Sequence, residues 1–222
     1  MRLGGVVLVW VAIMVPADGQ ILSFGIKAGG EVNPGLDVDG LVFAVSEAKP
    51  YAFGPTVQVR LPLKLAVEID ALYNRTGYRV DLCISTYCSV EVGRANVFAF
   101  PVLVKYRLFR GPFSPYVSGG PAYRHVGRTS GTALNWRTGP LFPGEVVDYP
   151  VQRSSVSGPA SDGAGVVVGA GLEFKAGILK LSPEYRFTHW NNHAWGVGGP
   201  GNGYYFNGSS LNQQEILLGV MF

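Results

Sequence analysis

The sequence predicts an all-β protein, a single antiparallel up-and-down transmembrane β-barrel of about eight strands. Three observations support this fold class. Apolar and polar residues alternate along about eight segments, short and long connections alternate between those segments, and charged residues recur on one face of the strands. We expect residues 1–19 to be a signal peptide and residues 20–222 to form the barrel domain.

The alternation is visible in each segment, because successive side chains of a strand point to opposite faces. In residues 178–188, for example, Leu179 and Leu181 lie on one face, whereas Lys180 and Glu184 lie on the other. The predicted strands, in chain order, are 23–31, 52–61, 64–74, 97–108, 115–126, 164–175, 178–188 and 212–222.

The last strand has the clearest polarity. Ile216, Leu218, Val220 and Phe222 share one face, and Glu215 lies on the other. An aromatic residue in the closing strand is typical of a membrane-spanning barrel, where aromatic side chains lie at the membrane interface.

The connections between the predicted strands alternate in length. The short connections are 61–64, 109–114 and 176–177, and the long ones, rich in Gly, Asn, Ser and Pro, are 32–50, 75–95, 127–163 and 189–211. Short periplasmic turns and long extracellular loops are typical of outer-membrane barrels. A soluble secreted barrel of lipocalin type, with apolar residues inside, is not excluded by alternation alone, but it does not need this asymmetry.

The polar faces predict a charged network inside the barrel. Eight strands leave an interior just wide enough for side chains, and charges held away from water need partners. We therefore expect ion pairs and hydrogen bonds across the lumen. The predicted lumen residues are Lys27, Arg60, Glu68, Asp70, Lys105, Arg107, Arg124, Glu173, Lys175, Lys180, Glu184, Arg186 and Glu215. Leu217 and Met221 would also point inward, at the narrow periplasmic end.

The N-terminus predicts export. Arg2 precedes an apolar run at 6–15, and small residues near Gly19 offer a cleavage site. That run is about half of the roughly 20 residues that a membrane helix needs. Charged residues make up 15% of the chain and the net charge is +3, so nucleic acid is not an expected partner.

Cys83 and Cys88 are the two cysteines of the chain. In an exported protein, two cysteines five positions apart predict a disulfide that closes a small loop. Two free thiols are the alternative. No soft or imidazole ligand is close to them in sequence, so a metal site is not expected.

The chain resembles the small outer-membrane β-barrel proteins of Gram-negative bacteria, the porin-like group that includes the barrels of OmpA and OmpX. The matching segments are 100–107 (FPVLVKYR), 115–123 (PYVSGGPAY) and 181–188 (LSPEYRFT), together with Phe222. The resemblance implies residence in the outer membrane, contact with its lipid and lipopolysaccharide, and recognition of Phe222 by the barrel-assembly machinery.

Catalytic chemistry is weakly indicated. His125 with Ser130, or His189, could serve an outer-membrane lipid-modifying enzyme, but no G-x-S-x-G elbow surrounds a serine. The spacing of His189 and His193 would suit a metal only on a helix, which the Gly-rich context opposes. We expect no catalytic residue, cofactor or metal.

Aromatic residues of the long loops have two interpretations. Trp190 stands at a strand end and is predicted to be an interfacial aromatic, whereas Trp136, Tyr204 and Tyr205 lie deeper in loops and suit either an interface or a surface ligand. The predicted function is a structural, envelope-integrity or surface-interaction role with a mostly plugged lumen and at most limited passage of small solutes.

Overall fold

A computed structural model describes residues 21–33, 43–45, 51–84, 87–109, 111–137, 150–193, 197–198, 205–206 and 210–222. The predicted signal peptide at 1–19 lies outside these residues and stays a prediction. The strands are β1 (Leu22–Glu31), β2 (Phe43–Val45), β3 (Tyr51–Arg60), β4 (Leu65–Asp70), β5 (Leu72–Ile84), β6 (Tyr87–Arg107), β7 (Phe113–Val126), β8 (Thr129–Arg137), β9 (Gln152–Gly158), β10 (Ser161–Ala176), β11 (Leu179–Trp190), β12 (Val197–Gly198), β13 (Tyr205–Phe206) and β14 (Asn212–Met221).

Eight antiparallel strand positions close into a ring. β1 pairs with both β14 and β3, and the ring continues from β3 through β4 and the start of β5 to β6, β7, β10, β11 and back to β14. β4 and β5 share one position, interrupted at Ala71. The predicted eight-strand up-and-down barrel is therefore confirmed. Within the described residues, no helix is long and apolar enough to span a membrane.

Three tight turns lie at one end of the barrel, which we call the lower end. They connect β3 to β4, β6 to β7 and β10 to β11, where short connections were predicted. Leu63 and Lys64 adopt positive φ values of 61° and 66°, and Gly177 has a φ of 64°. Such left-handed residues reverse the chain within a few positions.

At the opposite, upper end, the chain forms strands where long loops were predicted. β5 and β6 stay paired up to Ile84 and Tyr87, β6 also pairs with β8, and β8 pairs with β9. The loop predictions at 75–95 and 127–163 are therefore wrong for the described residues 75–84, 87–95, 129–137 and 152–158. In these residues, strand pairing supplies partners for the backbone N–H and C=O groups. We call this extension (43–45, 75–84, 87–96, 129–137 and 152–158) the distal sheet.

Burial is inverted relative to a soluble barrel. Large apolar side chains of the barrel wall are exposed around the outside, whereas charged side chains fill the interior. This arrangement excludes the lipocalin-type alternative, which requires the opposite polarity. Exposed wall residues include Phe24, Ile26, Phe53, Ile69, Val104, Val117, Val166, Val168, Leu172, Tyr185, Ile216 and Leu218.

Candidate functional site in the barrel lumen

Six charged side chains meet in the middle of the lumen. We call Lys27, Glu68, Asp70, Lys105, Glu184 and Arg186 the central cluster. Each is at most 2% exposed. They come from β1, β4, β6 and β11, so the cluster bridges the lumen. Three cations and three carboxylates give the cluster no net charge.

The two lysines of the central cluster share carboxylates. Lys27 donates from Nζ to Glu68 Oε1 and, at 2.8 Å, to Glu184 Oε2. Lys105 Nζ lies 2.7 Å from Glu68 Oε2 and 3.8 Å from Glu184 Oε2. The Lys105–Glu68 approach is a charge contact whose angles fall outside hydrogen-bond geometry. The Lys105 ammonium also lies 4.2 Å from the centroid of the Tyr116 ring.

Arg186 contacts all three carboxylates of the central cluster. Its Nη2 lies 2.6 Å from Asp70 Oδ2 and 3.1 Å from both Glu68 Oε1 and Glu184 Oε2. Two neutral hydroxyl groups also donate hydrogen bonds to carboxylates of the cluster. Thr56 donates to Asp70 at 2.5 Å, and Ser118 donates to Glu184 at 3.0 Å. Each charged group of the cluster therefore has an oppositely charged partner, which offsets much of the cost of burying isolated ions. Arg186 Nε and Nη1 have no acceptor among the described residues.

Inward-facing glycines make room for these long side chains. A Cβ at Gly169 would lie 2.6 Å from Ser118 Oγ and 3.1 Å from Glu184 Oε1. A Cβ at Gly171 would lie 2.5 Å from the Tyr116 hydroxyl. At Gly169 and Gly171 the lack of a side chain therefore follows from the size of the lumen residues opposite.

A second group, the lower cluster, lies toward the short turns and consists of Gln58, Arg60, Arg107, Glu173 and Lys180. Lys180 donates to Gln58 Oε1 at 2.6 Å, and Gln58 donates to Glu173 Oε1 at 3.2 Å. Arg107 Nε lies 3.1 Å from Glu173 Oε2. Three cations face one carboxylate here, so this cluster carries a net charge of about +2, given the usual charges of these groups.

A third group, the upper cluster, lies below the distal sheet and consists of Glu31, Arg124, Trp190, Gln213 and Glu215. Gln213 donates to Glu31 at 2.7 Å and to Glu215 at 3.0 Å, and it accepts from Trp190 Nε1 at 2.8 Å. The Arg124 guanidinium lies 4.3 Å from the centroid of the Trp190 ring. Trp190 is 2% exposed, so its prediction as an interfacial aromatic is wrong. The parity of β11 places it inside with Arg186.

A cavity separates the upper and central clusters. Its wall includes Leu72, Val97, Arg124, Arg186, Trp190 and Glu215. The volume of this cavity is about 20 Å³, which is enough for about one or two waters. Among the described residues, the side chains of the central cluster therefore lie across the middle of the lumen, and this cavity above them is small.

The structure thus distributes the predicted lumen residues over three levels. Lys175, at the lower rim, is exposed, and the remaining charged residues of the prediction belong to the three clusters. Leu217 and Met221 point inward with no exposure, but Leu217 packs with Ala52 and Leu72 in the upper half. The expectation that Leu217 lies at the periplasmic end is therefore wrong.

His125 and His189 lie on the outside near the upper rim. His125 Nδ1 is 2.6 Å from Asp162 Oδ1, which also accepts from the Tyr123 hydroxyl at 2.8 Å. His189 Nδ1 is 2.8 Å from Asn212 Oδ1. Among the described side chains, neither histidine contacts a serine hydroxyl. In the same part of the chain, no group of three or more His, Cys, Asp or Glu residues could hold a metal ion.

Cys83 and Cys88 stand directly opposite each other in the β5–β6 register. Directly paired residues have Cα atoms about 4.5–5.5 Å apart, within the range that a disulfide bridges. The Cys83 side chain lies outside the described residues, so the disulfide stays a prediction.

A closed antiparallel barrel with an apolar exterior and a charged interior defines the class of small membrane-spanning β-barrels. Known outer-membrane barrels are similar in fold to this chain. OprG from Pseudomonas aeruginosa is 14% identical, with a TM-score of 0.47, and the match covers 90% of this chain and 94% of that chain. Ail, the attachment invasion locus protein of Yersinia pestis, solved in complex with the heparin analogue sucrose octasulfate, is 13% identical, with a TM-score of 0.41 and coverage of 90% and 96%.

The N-terminal β-barrel domain of Pseudomonas aeruginosa OprF is 14% identical, with a TM-score of 0.39 and coverage of 90% and 96%. No protein-family model and no curated protein sequence matches the chain. The predicted resemblance to small outer-membrane barrels is confirmed at the level of the fold, on the strand order and the inverted burial of this chain.

Proposed function

We propose that this chain is a Gram-negative outer-membrane protein with a mostly plugged lumen and a structural, envelope-integrity or surface-interaction role. The observation that carries the proposal is the central cluster, a neutral layer of six buried charges across the barrel. A solute crossing the lumen would have to separate these ion pairs, which costs several kcal/mol per uncompensated ion. Passage is therefore limited to small solutes at most.

The exposed apolar wall supports insertion in a membrane. Soluble monomers rarely expose contiguous apolar patches larger than a few hundred Å². Here exposed apolar side chains recur on strands all around the ring. Under this proposal residues 1–19 direct export, Phe222 is the signal that the barrel-assembly machinery binds, and membrane lipid and lipopolysaccharide contact the wall.

The distal sheet is the candidate surface for a partner outside the cell. Residues paired across antiparallel strands share a face. By this register Arg75, Arg94 and Arg153 occupy one face, and all three are exposed. Because guanidinium groups form bidentate contacts with carboxylates, phosphates and similar anions, we propose an anionic surface ligand.

A lipid-modifying enzyme is less well supported. Such an enzyme needs a nucleophile within hydrogen-bond reach of its base. His125 has an orienting carboxylate in Asp162, but the described residues place no hydroxyl nucleophile on its ring. His189 contacts the amide of Asn212 and no acid among the residues that the structure describes.

Planar-bilayer recording of the refolded protein tests the plug. We expect no stable open steps from the natural sequence. The double variant Glu184→Ala/Arg186→Ala removes one charge of each sign and much side-chain volume, so it should conduct. Long-lived open steps from the natural sequence would contradict the plugged-lumen proposal.

Two further measurements test the other parts of the proposal. Detergent extraction of cell fractions should recover the protein from the outer membrane, and recovery from the periplasm without detergent would contradict the location. The triple variant R75Q/R94Q/R153Q should lose binding to an immobilised anionic polysaccharide. Arg79→Gln is the matched control, because Asp81 already neutralises Arg79 at 3.1 Å. Equal loss in the control would contradict a specific surface.

A further inference from the structure

The lower cluster differs from the central cluster in its charge balance. Its Arg60, Arg107 and Lys180 interact electrostatically with one another and with Glu173 as the single carboxylate. Three cations against one anion leave an excess of about two positive charges in a confined part of the lumen. By contrast, the central cluster directly above is neutral.

The hydrogen bonds of the lower cluster show the same imbalance. Arg60 Nε, Arg107 Nε and Arg107 Nη2 are buried and have no acceptor among the described residues. Arg107 Nε lies at ion-pair distance from Glu173, but that contact is not aligned as a hydrogen bond. Buried N–H groups without an acceptor are rare in proteins and are costly, especially on charged groups.

Two neighbouring acceptors, Glu173 Oε1 and Gln58 Oε1, already accept hydrogen bonds. Glu173 Oε1 accepts from Gln58, and Glu173 Oε2 faces Arg107. Gln58 Oε1 accepts from Lys180. The described residues therefore offer few acceptors to these arginine N–H groups, and an anion with several acceptor oxygens would supply them.

We propose that the lower lumen binds one phosphate-type oxyanion between Arg60 and Arg107. A guanidinium presents its N–H groups in a planar fork that matches two oxygens of such an anion, which a spherical chloride cannot match. The side chain of Arg107 is 16% exposed, so the site reaches the lower mouth of the barrel. The central cluster closes the lumen above it, so the anion enters and leaves by the same end.

This oxyanion has two sources with the same chemistry. Inorganic phosphate could enter from solution, or the phosphodiester of a membrane lipid could reach the mouth from the rim. Both present negatively charged oxygens to the same two arginines. This site is independent of the surface role proposed above.

The test uses the refolded full-length barrel in a nonionic glycoside detergent, which contains no phosphate. Sodium phosphate is titrated against sodium chloride at matched ionic strength, since general screening would affect both salts equally. The readout is the thermal midpoint of the change in gel mobility that distinguishes folded from unfolded barrels. We expect a saturable rise with phosphate that chloride does not reproduce.

Variants locate the effect. Arg60→Gln and Arg107→Gln should each weaken phosphate binding by roughly tenfold to a hundredfold, the loss expected for a hydrogen bond to a charged group. Arg79→Gln removes a partly exposed arginine of the distal sheet that already pairs with Asp81, and it should leave the midpoint shift unchanged. Glu173→Gln removes the competing carboxylate and should tighten binding. A shift that persists in Arg60→Gln, or one that chloride matches in the natural sequence, would overturn the proposal.

Repeating the titration in bilayers separates the two sources. If the lipid phosphodiester occupies the site, the response to free phosphate disappears in phosphatidylglycerol bilayers, because the site is already filled. If a free anion is the ligand, the response persists there. In both cases the detergent experiment decides whether the site exists.

Discussion

Glu184→Gln tests whether charge balance in the central cluster stabilises the barrel. The Glu184 carboxylate lies 2.8 Å from Lys27 Nζ, 3.1 Å from Arg186 Nη2 and 3.8 Å from Lys105 Nζ, and it is 2% exposed. The amide keeps the shape but removes one negative charge, so three buried cations face two carboxylates. Removing one partner of a buried ion pair costs about 3–5 kcal/mol, and we expect a loss of that size in the free energy of unfolding.

Urea unfolding of the protein folded in phospholipid vesicles, followed by tryptophan fluorescence, measures this loss. The double variant Lys27→Gln/Glu184→Gln restores neutrality, so it should be more stable than the sum of its two single variants predicts, by about 0.5–3 kcal/mol. Asp81→Asn breaks an exposed pair with Arg79 and should cost at most about 1 kcal/mol. If Glu184→Gln unfolds like this control, the central cluster does not depend on charge balance.

Three other predictions concern the wall, the strand packing and the hairpin tip. Val168 is 53% exposed on the barrel wall, and Val168→Arg should lower the free energy of unfolding in a membrane by about 2–4 kcal/mol. The control Ser154→Arg, in the distal sheet, should be nearly neutral. Equal losses in the two variants would contradict the membrane assignment. Gly171→Val forces a side chain against Tyr116, and it should lower the free energy of unfolding by about 1–3 kcal/mol. An unchanged free energy of unfolding would contradict the close packing of Gly171 against Tyr116. The predicted disulfide should protect both cysteines from alkylation until a reductant is added, and labelling of the unreduced protein would show free thiols.

The sequence predicts the barrel well because the alternation of polar and apolar residues within each strand shows which side chains face the lumen and which face outward. Alternation alone assigns Lys27 and Glu184 to the interior and Ile216 to the wall, and the structure agrees. The prediction for Trp190 is wrong because it rests on the position of this residue at the strand end. The alternation of β11, in steps of two from Arg186, places Trp190 inside.

The sequence predicts the partners of the lumen residues poorly. Contacts such as Lys27 with Glu184 join residues 157 positions apart, and no local pattern specifies which charges meet. The division into a neutral central cluster and a positive lower cluster depends on the stagger of neighbouring strands. The sequence fails to predict the distal sheet for a related reason, because β6 pairs with β8, on the far side of β7 in the chain, and no local pattern specifies that pairing.

The length of β6 has a consequence for what the protein presents to its surroundings. Its 21 residues at about 3.3 Å each give a strand of roughly 70 Å, or roughly 50 Å in height at the usual tilt of a barrel strand. The apolar band of such barrels is about 25 Å tall, so about half of this height stands above the bilayer. Continuous backbone pairing with β5 and β8 makes that half of the strand part of a rigid β-sheet extension. A partner would therefore meet this protein at a fixed distance and orientation from the membrane.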